Sequence, residues 1–265
     1  MELVECEWCR VQSQPGTSTC PTCGAPLDVA NLVSDSGWRE APRMRDMAQF
    51  RFSSSSVQVE GTIVPVAEVN LAQGDSVYFE HHVMLWKDAH TPLVAYNVPG
   101  GARRSLAGMP HVVTVAYGPG RIAFSREAPG ELVVLPLAAG VEIDVREHAF
   151  VVASHTTSYS FIRIKGLTNL LHGGNGMYID RFITGAEPGV VMLHGNGNVF
   201  ERYLQPGERI QVEPGGFLYK DASVQMNTVQ LDVKTGMFSR GLYVAEFVGP
   251  GRLGIQSMYH HHGSD

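Results

Sequence analysis

No stretch of this sequence reaches the run of about 18 apolar residues that a membrane helix needs. A transmembrane segment is therefore not expected, while peripheral membrane association stays open. The start, "MELVECEWCR", has no basic flank leading into an apolar stretch, so no secretory signal is read and a cytoplasmic protein is expected. Charge is scarce, at 17% of residues, which favours a compact body over a disordered chain. Its sign is wrong for holding phosphate backbones: 20 Lys and Arg stand against 26 Asp and Glu, a net charge of −6. No DNA partner is expected. No G-x-S-x-G elbow occurs. The glycine-rich stretches "LHGGNG" (171–176) and "HGNGN" (194–198) lack the Gly-Lys-Ser/Thr ending and following helix of a phosphate loop. With no catalytic constellation readable, the chain is expected not to be an enzyme.

The four cysteines are all near the start: Cys6, Cys9, Cys20 and Cys23, two C-x2-C pairs ending in "CPTCGAPL". Each x2 spacing lets two sulfurs face one point, so four thiolates can surround one tetrahedral ion. Two pairs at this spacing favour a metal over a redox dithiol, and two disulfides do not suit an intracellular protein. A structural zinc held by Cys6, Cys9, Cys20 and Cys23 is expected, in a module resembling a zinc ribbon at 1–28. A rubredoxin-like iron site shares the knuckle, and spacing does not separate the two. So short a segment has no core of its own, so the metal would supply its folding energy. The module carries Glu2, Glu5, Glu7 and Asp28 against Arg10 alone, which would repel nucleic acid and suit protein docking.

Residues 29–56 mix Ser, Gly and Pro with Arg39, Arg43, Arg45 and Arg51 and read as a linker, with Trp38 and Phe50 as anchors to the body. From 57 on, Val, Ile, Tyr and Phe alternate in short runs such as "SVQVEGTIVPVAEVNL" and "VEIDVREHAFVVA". Pro-Gly occurs eight times, beginning at 15, 99, 119, 129, 188, 206, 214 and 250, each a turn signal. No long stretch has a 3.6-residue period. The fold class expected is all-β.

Three windows share a pattern: "VNLAQGDSVYFEHHVMLWKD" (69–88), "LPLAAGVEIDVREHAFVVAS" (135–154) and "RYLQPGERIQVEPGGFLYKD" (202–221). Glycine stands sixth in each, at Gly74, Gly140 and Gly207. Apolar residues follow at the ninth and eleventh places: Val77 and Phe79, Ile143 and Val145, Ile210 and Val212. A second phrase, Gly-Pro-Gly-Arg-apolar, follows the first and third windows at Gly118 and Gly249, with Gly185 as its middle counterpart. The economical reading is three tandem β units, about 57–127, 128–194 and 195–258, packed pseudo-threefold, then a tail at 259–265. The tail holds His260, His261 and His262, read as exposed.

This pattern, best matched by "GLYVAEFVGPGRLGIQSM", resembles the altered-inheritance-of-mitochondria family, the twenty-fourth of that naming series, over about 57–258. The resemblance implies a fold similar to the trp RNA-binding attenuation protein, a shortened double-stranded β-helix unit used three times. Mitochondrial members are tied to inner-membrane organisation, and the resemblance brings no catalytic residues.

The body offers four weak candidate binding residues. Arg121 and Arg252 end the repeated phrase but have no middle partner. His82 and His148 share the fourteenth place of their windows, where the third has glycine, which would break a threefold metal site. His81 and His82 are adjacent, and strand neighbours point to opposite faces, so a cupin-like metal pair is not expected. The leading functional reading is a non-catalytic binding or scaffold protein whose ribbon docks a protein partner. The alternative is a small-molecule binder or cupin-like enzyme with a pocket where units meet. Single-stranded RNA binding ranks third, because the equivalent places Lys87, Ala153 and Lys220 form no basic stripe. Homo-oligomerisation stays open, since it decides whether sheet edges are exposed.

Overall fold

The structure, a computed structural model, describes residues 4–5, 11–14, 17, 19–22, 34–41, 46–98, 112–164, 177–231 and 242–258. Among them there is no α-helix; two single 3-10 turns, His81–Val83 and Pro214–Gly216, interrupt an all-β chain. The period-two runs of β-branched and aromatic residues form strands because alternate side chains can then share one buried face.

Five short strands precede the main body. β1 (Val4–Glu5) and β2 (Gln12–Ser13) form a small antiparallel ladder. β3 (Arg39–Glu40), β4 (Gln49–Phe52) and β5 (Ser55–Glu60) follow. Six strands then run β6 (Val66–Leu71), β7 (Ser76–Phe79), β8 (Met84–Lys87), β9 (Leu93–Asn97), β10 (Val112–Tyr117) and β11 (Gly120–Phe124). Six more are β12 (Gly130–Leu137), β13 (Glu142–Arg146), β14 (Phe150–Ser154), β15 (Thr157–Ile164), β16 (Met177–Thr184) and β17 (Gly189–Asn196). The last six are β18 (Val199–Leu204), β19 (Arg209–Val212), β20 (Phe217–Asp221), β21 (Gln225–Leu231), β22 (Leu242–Val248) and β23 (Gly251–Gln256).

Four antiparallel pairings occur in each of these three stretches. First pairs with sixth: β6 with β11, β12 with β17, β18 with β23. Second pairs with fifth: β7 with β10, β13 with β16, β19 with β22. Third pairs with sixth: β8 with β11, β14 with β17, β20 with β23. Fourth pairs with fifth: β9 with β10, β15 with β16, β21 with β22. Two joints link the stretches, β7 with β14 and β13 with β20. Gly74, Gly140 and Gly207 sit between first and second strands with φ of +91°, +74° and +77°, the left-handed region that favours glycine in a tight turn.

The joints give a six-stranded sheet, β12-β17-β14-β7-β10-β9, and a seven-stranded sheet, β15-β16-β13-β20-β23-β18-β3. A five-stranded sheet, β4-β5-β6-β11-β8, and a three-stranded one, β19-β22-β21, stand beside them. Three apolar cores alternate with the sheets. One joins Val69, Ile122 and Phe124 of the five-stranded sheet to Leu132, Val134 and Met192. Another takes the alternate residues of the same strands, Val133, Leu135 and Val191, and packs them on Phe182 and Leu218 of the seven-stranded sheet. The third joins Phe217 and Leu253 to Ala245 and Phe247 of the three-stranded sheet. The six- and seven-stranded sheets are thus apolar on both faces, whereas the outer two each face one core.

Residues 29–56, expected as a linker, supply strands. β3 adds to β18, and β4 pairs with β5. Trp38 packs against the third core and Phe50 against the first, as anchors. The arginine-rich composition concealed this, yet Arg39 is drawn in by buried Glu201, which also accepts a 2.7 Å hydrogen bond from Tyr219.

Candidate functional site

A cleft of about 280 Å³ opens where the turn after β13 meets the ends of the sixth strands. Arg126 follows β11, Arg146 ends β13, His148 precedes β14, His194 and Asn196 lie on β17, and Gln256 ends β23. All three six-strand stretches therefore contribute side chains.

Its two guanidiniums are held by backbone carbonyls and an imidazole. Arg126 Nη1 lies 3.1 Å from His82 Nε2, and its Nη2 donates to the Phe150 carbonyl at 3.4 Å. Arg146 Nη1 donates to the carbonyls of Pro214 (3.2 Å) and Gly215. Gln256 Nε2 donates to the same Gly215 carbonyl at 3.0 Å, and Gln256 Oε1 accepts from the Asn196 N–H at 3.0 Å. Burial lowers both arginine pKa values below the ordinary range, against the pull of Glu80 on Arg126 and of Glu213 on Arg146. Glu127 and Glu147 also line the cleft, the latter 3.7 Å from His148 Nε2.

His194 is the least comfortable group. It is 4% exposed, and its Nε2 has no hydrogen-bond partner among the described residues. Burial, then the charge of Arg126, lowers its pKa to about 4, although a hydrogen bond with the Ala128 backbone opposes the shift. At neutral pH its ring is neutral. Gly130 makes room for the ring, since a Cβ there would lie 2.8 Å from Nε2 and 2.0 Å from the Gly195 carbonyl oxygen.

Behind Arg126 runs a buried polar chain. His82 Nδ1 is 3.5 Å from Glu80 Oε2, and Glu80 is 3% exposed. Tyr159 donates to Asp180 at 2.8 Å and reaches Glu80 at 3.5 Å. Burial raises the Glu80 pKa above the usual carboxylate range, offset in part by Arg126 and His148.

His82 and His148 are thus near one another's partners, but neither is a strand residue. His82 belongs to a 3-10 turn, and His148 sits in a turn at φ +66°. The alternation argument assumed strand geometry, which turn residues do not obey. Arg121 and Arg252 lie elsewhere and are each tied to an aspartate. Arg252 donates to Asp221 from its backbone N–H (2.8 Å) and from Nη2 (2.9 Å). Arg121 does the same to Asp88, at 3.0 Å and 3.4 Å. In the middle stretch the Val190 N–H donates to Ser154 Oγ at 3.0 Å, so a side chain without a negative charge replaces the aspartate where no arginine stands. Sequence reasoning missed Arg126, Arg146 and His194, because the signal lies in their convergence across strands far apart in sequence.

Of the expected metal ligands, Cys6, Cys9 and Cys23 lie outside the described residues; Cys20 is buried at 2% exposure. His260 to His262 also lie outside them.

Fold and cleft together define an all-β protein of stacked antiparallel sheets with a polar cleft, lined by two arginines and two glutamates, between its stretches. The family described as "Mitochondrial biogenesis AIM24" matches residues 57–258, and the chain belongs to that family. Among solved structures, protein SPYM3_0169 from Streptococcus pyogenes is similar in fold, with a TM-score of 0.60 and 18% identity, covering 77% of this chain and 94% of that one. No curated protein matches the chain by sequence.

Proposed function

We propose that this is a non-catalytic binding protein that takes a small anion, a carboxylate or phosphate, in the cleft of Arg126 and Arg146. The observation that carries the reading is the convergence of two part-buried guanidiniums whose hydrogen bonds, among the described residues, go to backbone carbonyls and an imidazole and none to a carboxylate. Glu80 and Glu213 attract them only without direct bonds, so N–H donors remain for a ligand. The buried ring of His194, whose Nε2 has no hydrogen-bond partner among the described residues, backs the same cleft. The size suits a compact ligand rather than a peptide.

In this reading the body is one six-strand unit used three times, of the shortened double-stranded β-helix kind. The recurrent strand pairings and the three left-handed glycines support it. The N-terminal segment is a zinc ribbon that docks a cytoplasmic protein partner. Its four thiolates are a suitable donor set for zinc, and the β1–β2 ladder brackets the segment carrying Cys6 and Cys9. Single-stranded RNA is disfavoured by the places its basic residues occupy. Lys220 is buried on Asp144, and Arg121 and Arg252 are committed to aspartates.

The test is calorimetric titration of the full chain with phosphate, acetate and a short dicarboxylate, with a neutral amide as control. Binding of an anion, weakened at least about tenfold by Arg126→Gln, supports the reading. Tyr203→Ala, at an exposed strand residue that does not line the cleft, serves as the control variant. Absence of binding by all three anions overturns it. Metal analysis of the purified chain tests the ribbon: one zinc per chain is expected, lost in the double variant Cys20→Ser, Cys23→Ser.

A further inference from the structure

The outer sheets end at two strands whose counterparts elsewhere in the chain are paired. In both internal joints a second strand meets a third strand: β7 meets β14, and β13 meets β20. The remaining second strand is β19 and the remaining third strand is β8. Among the described residues β19 pairs only with β22, and β8 only with β11. Burial follows pairing. Every residue of β7 and β14 is buried, whereas Met84, Leu85 and Trp86 of β8 are 36%, 57% and 37% exposed. Arg209 and Gln211 are exposed on β19. An edge strand with a row of exposed apolar side chains is a template for another strand.

We propose that a second copy of this chain covers these edges, β8 of one molecule adding antiparallel to β19 of the next. The chain itself shows that such strands fit, because it uses the combination twice. The internal registers set Tyr78 opposite Ala153 and Asp144 opposite Lys220. Carried over, they place Gln211 opposite Lys87, Val212 opposite Trp86 and Ile210 opposite Asp88. The polar groups agree. Across the internal joint Lys220 Nζ donates to Asp144 Oδ2 at 2.6 Å. Among the described residues Lys87 Nζ holds only the carbonyls of Asp88 and Ala89, at 3.1 Å and 3.4 Å, and Gln211 offers it an acceptor in the same relation.

Within one molecule the two edges belong to sheets at opposite ends of the layer order, with the six- and seven-stranded sheets between them. Each molecule offers one edge of each kind, so pairing runs head to tail and produces a ring or an open chain of molecules.

The experiment mixes two full-length variants, Lys87→Cys and Gln211→Cys, oxidises them gently and identifies the bridged peptide by mass spectrometry. A heterodimer bridged between positions 87 and 211 is expected. Light scattering of the unmodified chain should give a multiple of 28.9 kDa. Leu85→Lys alters an exposed residue, so the chain should keep its far-UV circular dichroism spectrum while the dissociation constant of the assembly rises at least about tenfold. A single-chain mass at every concentration overturns the proposal. So does the absence of a bridge between position 87 of one variant and position 211 of the other.

Discussion

Arg252 grips Asp221 twice, through its backbone N–H at 2.8 Å and its guanidinium at 2.9 Å. The contact fastens the third strand of its stretch to the sixth. The Gly-Pro-Gly-Arg phrase therefore ends in a clamp between strands. Asp221→Ala removes both bonds and leaves a part-buried guanidinium without its carboxylate. A loss of about 1–3 kcal/mol is expected in urea unfolding. Asp88→Ala, at the more exposed clamp with Arg121, should lose less, because solvent screens that pair.

The phrase opens on glycine for a steric reason. A Cβ on Gly118 would stand 2.0 Å from the Ala72 carbonyl oxygen, and one on Gly249 would stand 2.3 Å from that of Gln205. Both contacts are with backbone, which cannot swing aside. Gly185, at the middle place, has nothing within 4 Å. Gly118→Ala and Gly249→Ala should each cost about 2–4 kcal/mol, while Gly185→Ala stays within about 0.5 kcal/mol. Thermal melts of the three variants check the contrast.

Much of this architecture was legible. The alternation in "VEIDVREHAFVVA" became β13 and β14, and the sixth-place glycines became left-handed turns. The cleft was not legible, because a sequence lists neighbours along the chain and Arg126, Arg146 and His194 meet only through strand pairing. The segment 29–56 misled for a different reason. Polar composition signals a linker, but β3 and β4 are held by backbone bonds to β18 and β5, to which composition is blind. Lys87 and Lys220 occupy one place in their windows yet differ in fate, since β20 is covered by β13 and β8 is an edge.

That difference sets the cost of charge inside the body. Asp144, fully buried, accepts from Lys220 Nζ at 2.6 Å and from Arg181 Nε and Nη2 at 2.6 Å and 3.0 Å. Burial lowers the Lys220 pKa, and Asp144 opposes the shift. Removing the carboxylate strands a buried ammonium, so Asp144→Ala should cost about 3–5 kcal/mol. Lys220→Met leaves Asp144 its two bonds to Arg181 and fills the volume, and a loss below about 1.5 kcal/mol is expected. If the two variants unfold at the same urea concentration, the lysine is not dependent on the carboxylate.

His194 gives the fold a pH dependence whose sign follows from its environment. Its folded pKa, about 4, lies below the ordinary 6.5, so the unfolded chain binds the extra proton first. Stability from this residue is complete above pH 6.5 and is lost as pH falls towards 4. The full span corresponds to on the order of 3 kcal/mol. Carboxylates titrate in the same window, so the informative quantity is the difference between the native chain and His194→Gln. Glutamine already stands at the matching place in β23, as Gln256, and brings no proton. Urea midpoints measured from pH 7.5 to 4.5 should fall more steeply for the native chain. An anion in the cleft would add its own linkage, since a ligand that favours a protonated imidazole raises the His194 pKa. Repeating the series in sulfate, which stays dianionic over this range, should then flatten the native curve and leave that of His194→Gln unchanged in slope.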